Sequence, residues 1–177
     1  MFKGDWGARR QESPLRVMER DDIGFVVECR NDIEAFGQYD PVSQISKTER
    51  MKEFDNPTQI SALTETTRFI IENKERKRIG YIRHYLVQPI GHMEIGYGIV
   101  PSDRGKGYGT EAVQIMVDYL FLSKNIMRIQ AGTNVRNRAS QRVLEKAGFK
   151  KEGTIRKSTF VRGEWADAYL YSIIKEQ

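Results

Sequence analysis

Residues 97–112 read Tyr97-Gly-Ile-Val-Pro-Ser-Asp-Arg104-Gly-Lys-Gly-Tyr-Gly109-Thr-Glu-Ala112, and the fold turns on them. The stretch passes from an alternating segment through a glycine-rich turn into an apolar-periodic one. Glycines at 105, 107 and 109 let the chain turn tightly and bring backbone N–H groups close to a ligand. A helix starting beyond them offers unpaired N–H groups and the positive end of its dipole, which favours phosphate or pyrophosphate. Arg104 and Lys106 add positive charge. A phosphorylated ligand is therefore expected along Arg104, Gly105, Lys106, Gly107, Tyr108, Gly109 and Thr110.

Three other motifs fail here. A Walker A loop requires G-x-x-x-x-G-K-[ST], but Gly105-Lys106 is followed by Gly107. A dinucleotide fingerprint requires G-x-G-x-x-G within a βαβ unit, and here the glycines run G-x-G-x-G. His92-x-Glu94 matches the start of a zinc deaminase motif, yet a chain with one cysteine cannot supply Pro-Cys-x-x-Cys.

Outward from the loop, Met93, Ile95, Tyr97 and Ile99 alternate as in a strand. Ala112, Val113, Met116, Val117, Leu120 and Phe121 recur at helical spacing, which predicts a helix over 110–122. Upstream, segments 68–73 and 79–87 are β-rich and flank the charged turn 74–78, with a further turn at Gln88-Pro89-Ile90-Gly91. Before them a strand is expected over 15–19, after a Ser13-Pro14 loop. A helix capped by Asp21 or Asp22 should run toward Arg30, and a second starts at the capping box Ser46-x-x-Glu49 and stops at Asn56-Pro57. Downstream come a strand over 127–133, a helix over 139–147 ended by Gly148, and strands over 153–161 and 166–174. The order is strand, two helices, three strands, helix, strand, helix, two strands: a mixed α/β domain.

With 177 residues, one domain over 13–177 with an N-terminal extension over 1–12 is the expectation. No apolar run approaches the roughly 18 residues of a membrane span, and residues 1–12 lack the apolar core of a secretory signal. The single cysteine, Cys29, forms no internal disulfide, which suits a reducing, cytoplasmic setting. Charge is uneven. Residues 19–40 hold seven acids and two arginines, a balance of −5 in a chain of +5, hence +10 elsewhere. Such an arrangement would suit a cationic acceptor on one side and an anionic ligand on the other, although solvated faces would look the same.

The loop also fits [Q/R]-x-x-G-x-[G/A], here Arg104-Gly-Lys-Gly107-Tyr-Gly109, the acyl-CoA loop of the GNAT acetyltransferases. Met93-Glu94-Ile95-Gly96-Tyr97, Thr110-Glu-Ala-Val113, Asn137-Arg-Ala-Ser140, Val143-Leu-Glu-Lys-Ala-Gly-Phe149, Glu152-Gly153 and Gly163-Glu-Trp165-Ala-Asp167 occur in the order and spacing of RimJ/RimL-type members. The chain thus resembles that family, strongly over 79–174 and weakly before. The resemblance implies a mixed, mostly antiparallel sheet of about seven strands, helices on both faces, and a splayed central pair formed by 93–100 and 127–133. It implies acetyl-CoA as co-substrate, with no metal. The pyrophosphate would lie on the loop amides, Asn137 would bond the pantetheine arm or cap a helix, and amides near Ile99 or Val100 would serve the oxyanion.

Amine attack on a thioester requires a deprotonated amine, an oxyanion site and a stable leaving thiolate. Glu94 is the candidate base: alternation places it on the same face as Gly96 and Gly98, although a structural carboxylate would fit too. Ser140 matches a serine proposed as general acid in the family, and a helix-start hydroxyl is the alternative. The family's later tyrosine has no counterpart in Gln141-Arg-Val-Leu-Glu145. Its frequent tryptophan is replaced by Gly98, which leaves the acceptor wall undefined. His84, His92, Cys29, Trp165 and Asp167 read as structural.

Deprotonating an α-amine of pKa ~8 at neutral pH costs about 1 kcal/mol, against about 4 to 5 for a lysine amine. A single carboxylate therefore fits an N-terminal or small primary amine, and a polyamine is the alternative acceptor. Dimers are common in the family, so a homodimer is one expected assembly. Neither a membrane nor a specific nucleic acid partner is expected. The competing class is a non-catalytic acyl-CoA- or RNA-binding module of the same fold.

Overall fold

A computed structural model describes residues 15–41, 44–56, 67–87 and 91–175. The N-terminal extension, the Ser13-Pro14 loop, Pro57 and most of the 88–91 turn lie outside them. The elements are β1 (Leu15–Val17), α1 (Ile23–Asn31), α2 (Lys47–Asp55), β2 (Thr67–Glu72), β3 (Arg78–Val87), β4 (His92–Ile99), α3 (Tyr108–Ser123), β5 (Arg128–Asn134), α4 (Arg138–Lys146), β6 (Lys150–Val161) and β7 (Glu164–Ile174). The seven strands form one sheet in the order β1-β2-β3-β4-β5-β7-β6. All neighbours are antiparallel except β4 and β5. This is the predicted mixed α/β architecture.

Strand alternation sorts the sheet's two faces. Ile71, Ile82, Met93, Ile95 and Ile129 pack on one face against Val113, Met116 and Leu120 of α3 and Leu144 of α4. Those three α3 side chains are each 0% exposed, and at about 1.5–3 kcal/mol each their burial holds α3 with roughly 5 to 9 kcal/mol. Ile70 and Tyr81 face the other way, onto Ile23, Val26 and Val27 of α1 and Met51 of α2. Helices thus cover both faces.

Two helix starts differ from expectation. Asp22 makes no side-chain cap on α1. Its carboxylate instead accepts the Glu19 N–H at 2.8 Å and both terminal nitrogens of Arg16 at 2.6 and 2.7 Å, because a buried carboxylate gains more from a charged, forked donor than from one amide. Helix α3 begins at Tyr108, two residues early, with Gly107 as its N-cap. Gly107 has φ +94°, a left-handed conformation open to glycine at no steric cost. The Ser46 box forms as expected: Glu49 N–H donates to Ser46 Oγ at 3.1 Å, and Ser46 N–H to the Glu49 carboxylate at 3.0 Å.

The feature that places the site is the β4–β5 junction. These parallel neighbours pair only at Met93↔Ile129 and Glu94↔Gln130, although β4 runs on to Ile99 and β5 to Asn134. Beyond Glu94 the two strands part into a V.

Candidate active site

A cleft of about 1030 Å³ occupies the V and draws its lining from both faces of the sheet. Its lining includes Glu94, Gly96, Gly98, Ile99, Arg104, Gly105, Gly107, Gly109, Thr110, Asn137 and Ser140. The structure thus brings most of the sequence-predicted residues to one place.

The β3–β4 register is continuous from Gly80↔Ile99 to Val87↔His92. No bulge interrupts it, so Glu94, Gly96 and Gly98 do share a face. Glu94 sits on the last paired rung, at the crotch of the V. Tyr85 donates its hydroxyl to Glu94 Oε1 at 2.5 Å, and Gln130 donates Nε2 to Oε2 at 2.7 Å. Both oxygens are held, one from each neighbouring strand, which fixes the carboxylate's orientation. Burial and the adjacent Glu94 carboxylate push the Tyr85 phenol well above its ordinary pKa, so it remains a donor.

The amides of β4 divide by parity. Val100 N–H donates to Ile79 O at 2.8 Å and is spent on β3. Neighbouring residues of an antiparallel strand point their N–H groups oppositely, so the Ile99 amide faces the open V. The glycine loop offers the amides of Tyr108, Gly109 and Thr110, since the first helical bond of α3 is Glu111 N–H to Gly107 O at 3.1 Å. The Arg104 amide is engaged with Pro101 O at 3.3 Å.

The loop's cations are also engaged. Lys106 Nζ lies 2.9 Å from Asp103 Oδ1. The Arg104 guanidinium donates to Ile99 O at 2.9 Å and Ala35 O at 2.5 Å, and lies 5.5 Å from the Phe36 ring centroid. Positive charge in the cleft comes also from Arg142 and Lys146 of α4. Their i, i+4 spacing on one helix face was the signal that could have revealed them.

Asn137 caps α4, its Oδ1 accepting the Ser140 N–H at 3.0 Å. Ser140 Oγ lies 3.0 Å from the Tyr97 hydroxyl, which also donates to Ser140 O at 3.2 Å. Tyr97 alternates with Met93, Ile95 and Ile99 along β4, and that parity puts it on the α4 face. Only the fold shows its hydroxyl beside Ser140, where α4 lacks a tyrosine of its own. Burial holds this phenol in its neutral form.

The space beside Gly98 is filled by Phe36, which follows α1. A Cβ built on Gly98 would lie 2.5 Å from Phe36 Cε1, so the ring occupies the space that a side chain at 98 would take. Phe36 stacks on Tyr81 with centroids 6.1 Å apart. The acidic run, in contrast, turns away: of its seven acids only Asp40 lines the cleft. Cys29 is buried, its thiol pushed up to about 11 chiefly by desolvation, consistent with packing rather than nucleophilic use. His84 is buried beside the Phe69 and Tyr119 rings. Asp167 accepts the Lys157 N–H at 2.9 Å, and Trp165 packs edge-on against Phe160.

Comparison with known proteins agrees with this geometry. Residues 14–150 match the acetyltransferase (GNAT) domain family. An uncharacterized N-acetyltransferase p20 of Bacillus licheniformis is 31% identical over 167 residues, covering 92% of this chain and 93% of its own. Among solved structures, spermidine N-acetyltransferase from Vibrio cholerae in complex with CoA and spermine superposes with TM-score 0.77 at 22% identity, over 92% of this chain and 95% of its own. Ribosomal-protein-S5-alanine acetyltransferase from Vibrio fischeri gives TM-score 0.77 at 24% identity, over 92% and 93%. At those identities the two structures establish the fold.

Proposed function

The chain belongs to the GNAT acetyltransferase family, and from that premise we propose that it transfers acetyl from acetyl-CoA directly to a primary amine, with Glu94 directing the amine's proton away. The observation that carries this is the V: two strands paired only as far as Glu94↔Gln130, with the oriented Glu94 carboxylate at its crotch. The cleft suits a long thioester cofactor. Positive-φ turns at Gly105 and Gly107 and the free first-turn amides of α3 form a cradle for its pyrophosphate. The pantetheine arm follows the unpaired edge of β4, where Asn137 has its amide nitrogen to offer.

In the reaction the neutral amine forms the new C–N bond, the thioester C–S bond breaks, and the sulfur leaves as thiolate. Glu94 takes the ammonium proton, directly or through water. The Ile99 amide is the oxyanion donor in this reading, since Val100's is committed to Ile79. Ser140, backed by the Tyr97 hydroxyl, is the proton source for the thiolate. That donor matters less than the base, because a thiol of pKa ~8.5 leaves tolerably as thiolate. The acceptor is a protein N-terminal or small amine, with a polyamine as the second reading favoured by the spermidine acetyltransferase likeness.

The test is thermal unfolding with acetyl-CoA and separately with ATP, followed by an amine panel with Glu94→Gln as control. At 100 times its dissociation constant a ligand adds about 2.7 kcal/mol, a rise of several degrees. A shift with acetyl-CoA alone, and turnover that falls at least about 100-fold in Glu94→Gln, is the expected result. No shift at millimolar acetyl-CoA would overturn the proposal.

A further inference from the structure

On the face that carries Glu94, the row next to it holds two arginines side by side. Arg68 of β2 and Arg83 of β3 are direct cross-strand partners, and Arg83 in turn is paired with Gly96 of β4. A Cβ on Gly96 would lie 3.2 Å from Arg83 Nε, so the Arg83 side chain extends over that glycine toward the mouth of the V. Its guanidinium carbon is 5.6 Å from the ring centroid of Tyr85, the residue that bonds Glu94. Arg30 of α1 faces the same space, and all three arginines line the cleft.

This arrangement is costly to the fold. Like charges directly opposite across two strands repel, and each of the three is partly shielded from water. None forms an ion pair or side-chain hydrogen bond among the described residues. Desolvation, then repulsion from Arg50, Arg83 and Arg30, brings Arg68 down to about 10, and Arg30 is lowered for the same reasons. Asp40 and Glu94 are acids of the same lining, and Glu53 of α2 also attracts Arg30 and Arg68, yet none of these carboxylates forms an ion pair with the three arginines. Elsewhere the chain pairs its buried charges closely, as Arg16 does with Asp22 and Glu72. Three arginines inside a cleft with no direct ion-pair partner are the arrangement expected of a site awaiting an anion.

We propose that the acceptor is a small primary amine bearing an acidic group, carboxylate or phosphate, which Arg30, Arg68 and Arg83 bind while the amine reaches Glu94. The inference rests on the acetyl-transfer reading of the same cleft. Strand geometry sets the scale: Gly96 lies about 7 Å along β4 from Glu94, and Arg83 about 5 Å further across the sheet. Long arginine side chains span such separations toward an acid a few bonds from the amine. The same charges disfavour a polyamine.

The test compares matched amines of similar basicity with the full chain and saturating acetyl-CoA, following release of the CoA thiol. Propylamine is set against β-alanine, ethanolamine against phosphoethanolamine, and spermidine is run beside them; the first pair tests carboxylate, the second phosphate. A charge-assisted hydrogen bond predicts kcat/KM higher for the acidic member by about 10- to 100-fold. In Arg68→Gln and Arg83→Gln that ratio falls toward one, while the unliganded Tm rises because repulsion is relieved. β-Alanine with CoA raises the Tm of the parent protein more than that of either variant. Equal rates within both pairs, or spermidine as the best acceptor, would overturn the inference and leave acetyl transfer standing. Variants that lose Tm would mark the arginines as structural and overturn it too. Acetyl-CoA binding without turnover on any amine would overturn the transfer reading, and this one with it.

Discussion

Replacing Gly98 by alanine tests whether Phe36 fills the space above it. The added Cβ would fall 2.5 Å from Phe36 Cε1 and 3.0 Å from Cδ1, closer than carbon atoms approach, so the ring has to leave its seat. Its third neighbour, Tyr81 Cε1 at 3.4 Å, is an ordinary contact. A displaced Phe36 gives up its stack on Tyr81 and its place under Arg104. The stack is worth about 0.5–1.5 kcal/mol and the cation–π contact about 0.5–1 kcal/mol. The expected penalty from displacement is therefore about 1 to 2.5 kcal/mol. In a Phe36→Ala background the seat is empty, and Gly98→Ala should be neutral or favourable by about 0.5–1 kcal/mol, since glycine weakens a strand. The four proteins, unfolded in urea and followed by circular dichroism, form a double-mutant cycle. The predicted coupling is about 1 to 2.5 kcal/mol, beyond the ~0.3–0.5 kcal/mol scatter of independent sites. Coupling within that scatter would refute the assignment of Phe36 to the space above Gly98.

Gly107→Ala meets no atom within 4 Å but must hold φ +94°, a strain of about 1–2 kcal/mol. A Tm lower by several degrees and a smaller acetyl-CoA-induced shift are expected by differential scanning fluorimetry, and an unchanged shift would dissociate the turn from cofactor binding. Arg16→Met strands two buried carboxylates, Asp22 and Glu72. The cost should be about 3 kcal/mol, at the low end for a broken buried pair, because Arg78 and Arg76 remain 3.5 and 3.2 Å away; urea titration measures it. Acid should also destabilise the fold. Hydrogen bonds from Arg128 and Ser172 hold Glu152 at about 2, and Arg16 holds Asp22 below its ordinary value. Folded pKa values below the unfolded ones give stability that is present above pH ~4.5 and lost as pH falls toward about 2. Arg128→Gln should flatten that fall in a pH series of urea midpoints.

How much of this was legible in the chain depended on the range of the interaction. The Ser46 box, the 110–122 helix, the β4 alternation and the glycine loop are set by neighbours within a few residues: a cap by a side chain three positions away, a helix face by a 3.6-residue period, a left-handed turn by the absence of a Cβ. Glu94, Asn137 and Ser140 could be singled out because strand parity and a helix start place them before any packing is known. Even locally, the competition between partners escaped: Asp22 was drawn from the α1 cap by Arg16, and the Val100 amide by Ile79. The filling of the space above Gly98 by Phe36, the Tyr97–Ser140 contact and the arginine row could not be read at all. Phe36 reaches Gly98 from 62 positions away in the chain, and Arg68 meets Arg83 through a hairpin register. Net charge misled for the same reason. The −5 run at 19–40 suggested an acidic pocket, but a helix shows one face to the cleft: α1 shows Val26 and Arg30 there and Glu28 to solvent, while Asp22 is buried against Arg16. Sequence determines how many charges a segment carries. Which of them share a cavity is decided when the sheet brings distant strands within 5 Å of each other.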